Sequence, residues 1–124
     1  MDGIVGLSAG AAAVYGDLAV IARFSPDGVI DARNGAAYQA LTQVPYAAGV
    51  TYRFRLVVNV PSHTYDIYVT PQNGTEQVVG TGFAFRTEQN TVTSLSNRAV
   101  YAAAGTHQLC NFTLSPVPLA TATP

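Results

Sequence analysis

No stretch of this chain keeps apolar residues at helical spacing for more than a turn or two, and that absence constrains its fold more than any motif. The best helical candidate, residues 9–15, is interrupted by Gly10 and stopped by Gly16, so it reads as a turn. What remains is a succession of short runs rich in Val, Ile, Tyr, Phe and Thr, broken by turn residues roughly every 8–12 positions. The expected strands are Ile4–Ser8, Asp17–Phe24, Val29–Ala32, Tyr38–Leu41, Thr51–Val60, His63–Thr70, Gln77–Phe83, Val100–Ala103 and Gln108–Leu114. Between them lie Ser25-Pro26-Asp27-Gly28, Arg33-Asn34-Gly35, Pro45 to Gly49, Pro61-Ser62, Pro71-Gln72-Asn73-Gly74 and Ala104-Gly105, all turn formers. Short strands at this spacing, with no helices to carry crossovers, predict an all-β, compact antiparallel sandwich of the jelly-roll kind.

The composition supplies the core such a sandwich needs. Hydrophobic residues make up 48% of the 124 residues and charged residues 10%. The charged share is well under the ~25% of ordinary domains, so disorder is excluded as a reading. The length suits a single domain, expected over residues 1–115, with the Pro/Thr/Ala-rich residues 116–124 as a tail or linker. A net charge of −1 gives no basic patch for nucleic acid. No apolar run approaches the roughly 18 residues of a membrane span, and the first residues lack the basic start and apolar stretch of a signal peptide. The single cysteine, Cys110, can form no internal disulfide. Its alternation with Phe112 and Leu114 predicts a buried thiol rather than a nucleophile.

The sharpest local expectation is a hairpin about Pro61-Ser62. With those residues as the turn, Val58 meets Tyr65, Leu56 meets Ile67 and Phe54 meets Val69, an entirely apolar or aromatic face. The opposite face pairs Asn59 with Thr64, Val57 with Asp66, Arg55 with Tyr68 and Arg53 with Thr70. A slip of one residue would exchange the two faces, so the pattern specifies its own register. Arg53, Arg55, Asp66 and Tyr68 then form a polar sheet surface that Arg23, Asp31 and Arg33 could extend. Guanidinium groups, a carboxylate and a phenol ring suit a sugar, whose vicinal hydroxyls take paired hydrogen bonds and whose ring lies on a flat surface. The same residues could equally form a solvated outer face with no ligand.

The segments Asp17–Phe24, Asp27–Gly35, Tyr46–Gly49, Thr51–Val60 and His63–Val69 together resemble a concanavalin A-like sandwich. The pattern is similar to the laminin-G-like domains found beside bacterial secreted polysaccharide-degrading enzymes, and Phe83–Gln89 and Cys110–Leu114 fit it too. The resemblance implies carbohydrate recognition, with polysaccharide (cellulose or another glycan) as partner, and a secreted location. Members of this family are larger, with strands ahead of the segment that starts here at Asp2. A compact version must cover its sheet edges, and a homodimer formed through those edges is expected. Calcium sites in the family use acidic residues near the chain ends. Cys110 stands where an aspartate is expected, so no structural calcium is anticipated.

Chemistry is harder to find. Glycosidases need two neighbouring carboxylates, and Glu76 and Glu88 are isolated in expected loops. The serines lack a nucleophile-elbow context, and no glycine pattern precedes a helix. One constellation stands apart: His63 and His107, the chain's two histidines, both follow expected turns. If those turns share an end of the sandwich, the imidazoles could hold copper, with Gln43, Gln108 or Tyr46 as a third donor. In size and fold type the chain is similar to compact copper-dependent jelly-roll proteins that oxidise cellulose. Three readings therefore stand: a polysaccharide-binding domain, a mono-copper oxidoreductase acting on polysaccharide, and a non-catalytic structural or interaction module.

Overall fold

The computed structural model describes residues 2–95, 97–105 and 107, the side chains of 15 and 101–104 excepted. The described residues form eight strands: β1 Asp2–Ser8, β2 Val20–Phe24, β3 Val29–Asn34, β4 Ala37–Pro45, β5 Tyr52–Asn59, β6 Thr64–Pro71, β7 Gln77–Ala84 and β8 Asn97–Ala104. Two single 3₁₀ turns, Tyr15–Asp17 and Thr87–Gln89, are the helical content of the described residues. The strands form a five-stranded sheet in the order β4-β3-β2-β1-β8 and a three-stranded sheet in the order β5-β6-β7. All pairings are antiparallel. The expected all-β antiparallel sandwich is what forms. None of the described helical segments is long and apolar enough to cross a membrane.

Strand alternation explains the core. In β2 the side chains of Val20, Ala22 and Phe24 point between the sheets, where they meet Ile30, Val44, Tyr65, Ile67, Val69 and Phe83. Ile21 points the other way and packs with Ile4 and Leu18 in a smaller cluster on the outer face of the five-stranded sheet. Residues 9–18 supply the cover for that cluster, with Ala12 and Leu18 against it. β2 is thus buried on both faces. Its expected start at Asp17 moves to Val20 because the Asp17 carboxylate accepts the amides of Ala13 (2.8 Å) and Val14 (3.2 Å), pinning it in the 3₁₀ turn. Those two amides also lower the Asp17 pKa.

The two sheets are tied as well as packed. The Tyr65 hydroxyl crosses from β6 and donates to the Arg33 carbonyl of β3, with a longer 3.5 Å approach to Ile21 O of β2. At one side of the sandwich Ala84 N donates to Asn34 Oδ1 (2.8 Å), and Gly35 N donates to Ala84 O (3.0 Å). The β3–β4 turn is in this way stitched to the end of β7.

The β5–β6 hairpin has the expected register at every position, from Arg53↔Thr70 through Arg55↔Tyr68 and Val57↔Asp66 to Asn59↔Thr64. His63 N donates to Val60 O (3.0 Å), closing the turn, and His63 itself adopts a left-handed φ of 56°. Pro45, expected in a turn, is the last residue of β4. The expected strand Gln108–Leu114, Cys110 within it, and the tail 116–124 lie outside the described residues.

Candidate functional site

On β5 and β6, odd-numbered β5 residues and even-numbered β6 residues face away from the core, so Arg53, Arg55, Asp66 and Tyr68 share the outer face of the three-stranded sheet. The Arg55 guanidinium lies over the Tyr68 ring, 4.1 Å from its centroid. It also forms a two-pronged ion pair with Glu76, Nε to Oε2 at 3.0 Å and Nη2 to Oε1 at 2.9 Å. Arg55 and Glu76 are 53% and 43% exposed, so water screens the pair and its value is positional. Arg55 therefore occupies one face of the phenol ring that an open sugar platform would need. The flat surface offered outward is the guanidinium held over the tyrosine.

The bond to Arg55 holds the Glu76 pKa below the usual carboxylate value of 4.5. A carboxylate pKa lowered by folding stabilises the fold above the ordinary value, and that contribution is lost as pH falls through the lowered one. Carboxyl-carbon NMR is expected to show Glu76 titrating below 4.5, and Arg55→Ala to return it toward 4.5. An unchanged titration in the variant would show that the ion pair does not persist in solution.

Asp66 is engaged differently. β7 carries extra residues opposite β6, with register breaks between Tyr65 and Ile67 and between Ile67 and Tyr68. Gly82 sits in this bulge at φ 63°, a conformation that favours glycine, and its amide donates to Asp66 Oδ1 at 2.8 Å. That oxygen serves the bulge.

Arg53 has a different setting. It stands opposite Thr70 and lines a shallow groove of about 430 Å³ with Thr51, Thr70, Pro71, Gln72, Asn73 and Gly74. The groove is shaped by the β6–β7 turn, where Gly74 N donates to Pro71 O (2.9 Å) and Asn73 takes a φ of 62°. Gln72 N donates to Thr51 O (3.0 Å), and Thr51 N donates to Gln72 Oε1 (3.3 Å). The turn is thereby locked against the start of β5. Among the described residues no carboxylate pairs with Arg53.

Arg23, Asp31 and Arg33 do not extend this face. They lie on β2 and β3, on the outer side of the other sheet. Arg23 binds Asp31 through Nε–Oδ1 (2.8 Å) and Nη2–Oδ2 (2.7 Å) and stacks on Tyr38 at 3.7 Å. With side chains only 18% and 11% exposed, this is a largely buried, satisfied pair. Its bond to Asp31 raises the Arg23 pKa further.

The two histidines are not brought together. His63 lies in the turn after β5, its Nε2 2.8 Å from Val92 O and its ring against Phe85. His107 places Nε2 2.9 Å from Ile4 O and its ring against Phe24, which itself packs on Tyr52 and Phe54 at the start of β5. The length of β5 separates the two sites, on the order of 20 Å at about 3.3 Å per residue. Among the described residues no three His, Cys, Asp or Glu side chains gather as a metal site. Tyr46, one candidate third donor, gives its hydroxyl to Ser25 O at 2.6 Å. As the described residues place them, His63 and His107 do not share a copper site; Gln108, another candidate donor, lies outside the described residues.

Sequence reasoning missed Glu76, which sits in a loop with no periodicity to reveal its partner, and the Thr51, Gln72 and Asn73 groove. The string Pro71-Gln72-Asn73-Gly74 marked the turn but not its packing against the start of β5. No family model and no solved structure matches the chain. Over 80 residues it is 36% identical to a gellan lyase of Bacillus sp., an alignment that takes in 63% of this chain and 3% of that protein's length.

Proposed function

We propose that this chain is a carbohydrate-associated β-sandwich domain that binds polysaccharide without cleaving it, through the outer face of its three-stranded sheet. The observation that carries the reading is the row of polar groups running from Arg55, stacked on Tyr68, to Arg53 in its groove. A shallow surface of this shape suits a polymer, which passes along a face, better than a small molecule that needs enclosure. Guanidinium and amide donors on rigid strands answer sugar hydroxyls at little entropic cost. The similarity to part of a gellan lyase supports a polysaccharide ligand. The concanavalin A-like, laminin-G-like character and a secreted location belong to the same proposal.

Affinity electrophoresis of the whole chain in gels containing gellan or cellulose tests it. At least one polymer is expected to retard the protein, and Arg55→Ala combined with Tyr68→Ala to weaken binding roughly tenfold, since a stacked and hydrogen-bonded contact is worth about 1–2 kcal/mol. Circular dichroism checks that the variant keeps its strands. Unchanged retardation of a folded double variant would remove this face from consideration.

A further inference from the structure

Building on that reading, we infer that the bound polysaccharide is acidic and that Arg53 recognises a sugar carboxylate in the groove beside it. The inference follows from an inventory of charge. Of the seven Asp and Glu residues, Asp31 is taken by Arg23, Glu76 by Arg55 and Glu88 by Arg86. Asp17 is held by the amides of Ala13 and Val14, and Asp66 by the amide of Gly82. Asp2 opens β1, and Asp27 stands in the β2–β3 turn, both belonging to the other sheet. Among the described residues none forms an ion pair with Arg53, and its fork of donors faces the groove, open to a ligand. The neighbouring Arg55, by contrast, is already neutralised by its carboxylate partner.

The groove around Arg53 complements this charge. Gln72 spends Oε1 on the Thr51 amide, which leaves its Nε2 hydrogens to donate. Asn73 and the hydroxyl of Thr70 line the same hollow. A uronate ring presents a planar carboxylate with hydroxyls on adjacent carbons. The guanidinium fork matches the first, and the amides and hydroxyl match the second. A neutral ring would offer the guanidinium hydroxyl oxygens alone, a weaker match than a carboxylate. Arg53 is accordingly the residue that selects the class of sugar, while the stacked Arg55 contributes to binding any glycan chain.

Isothermal titration of the whole chain with gellan, and with gellan whose carboxylates have been reduced to primary alcohols, reads this directly. The acidic form is expected to bind roughly tenfold more tightly, the worth of one charge-assisted contact. The advantage should shrink as salt rises from low to high concentration. Arg53→Ala should erase the difference between the two forms, bringing the affinity for the acidic polymer down to that for the reduced one. Because Arg53 has no ion-pair partner among the described residues, the variant is expected to fold, and circular dichroism checks it. Equal binding of both forms by the natural chain, or an undiminished preference in Arg53→Ala, overturns the inference and leaves the polysaccharide-binding reading standing. Failure of the natural chain to bind either form, or cellulose, brings down both.

Discussion

Replacing Tyr65 with alanine is expected to cost about 3–5 kcal/mol of folding stability, as for other large aromatic truncations in a core. The ring is 1% exposed and packs edge-on to Phe83, with centroids 6.2 Å apart. Its hydroxyl reaches across the sandwich to the Arg33 carbonyl, so one side chain both fills the core and joins the sheets. Burial pushes the phenol's pKa up, which keeps it a neutral donor at any ordinary pH. Against a typical total of 5–15 kcal/mol, the loss is a large share, and a fall in Tm of more than about 10 °C should follow. The milder Tyr65→Phe separates the two roles. It keeps the packing and strands the carbonyl, and should cost about 1–3 kcal/mol. Urea unfolding of the two variants measures both quantities. A Tyr65→Phe protein as stable as its parent would mean that the tie between the sheets adds nothing.

Gly80→Ala is expected to be the second costly change, at about 2–3 kcal/mol, although it adds a single methyl group. A Cβ there would stand 2.5 Å from Cζ and 2.6 Å from Cδ2 of the Phe83 ring. That ring is 3% exposed and wedged against Tyr65, so it has no open direction in which to turn. Glycine at this position is a seat for an aromatic ring. The clash predicts its own remedy: Phe83→Leu in the Gly80→Ala background should recover part of the loss, although Phe83→Leu alone is destabilising. A double-mutant cycle by thermal unfolding reads the coupling. Strict additivity of the two changes would refute the proposed contact.

The parts of the fold that could be read from the residues were those with two faces to satisfy. In β5 and β6 the chain alternates apolar with polar at all but the Val57 and Tyr68 positions, and only one register keeps both faces sorted; the hairpin accordingly matched residue for residue. The pattern is silent on matters that depend on which sheet a strand joins. Arg23 on β2 and Arg55 on β5 both occupy outward positions of alternating strands, yet their strands belong to different sheets and face opposite directions. The same blindness affected the histidines. Each was placed at a turn, but alternation carries no information about which end of the sandwich a turn occupies. Asp66 looked like a surface carboxylate because the bulge that claims it arises in β7, from Gly80 and Gly82, and not in its own strand. The groove at Arg53 was hidden for a similar reason: it is made where a turn packs against the start of a strand some twenty residues away, and neither segment signals the other.

The pairing of β1 has a consequence for how the protein must be made. β1 lies between β2 and β8, with Gly3 opposite Phe24 on one side and Ala102 on the other. A ribosome releases β2 soon after β1, so one edge of β1 is satisfied early by a local partner. The other edge waits until nearly all of the described chain has been synthesised, because its partner is the last described strand. Closing so long a loop is entropically slow, and a waiting strand edge is a template for pairing with any neighbouring chain. Between the release of β1 and the release of β8 one edge of β1 is therefore open, and the yield of the folded sandwich is expected to depend on how quickly β8 arrives compared with how quickly another chain does.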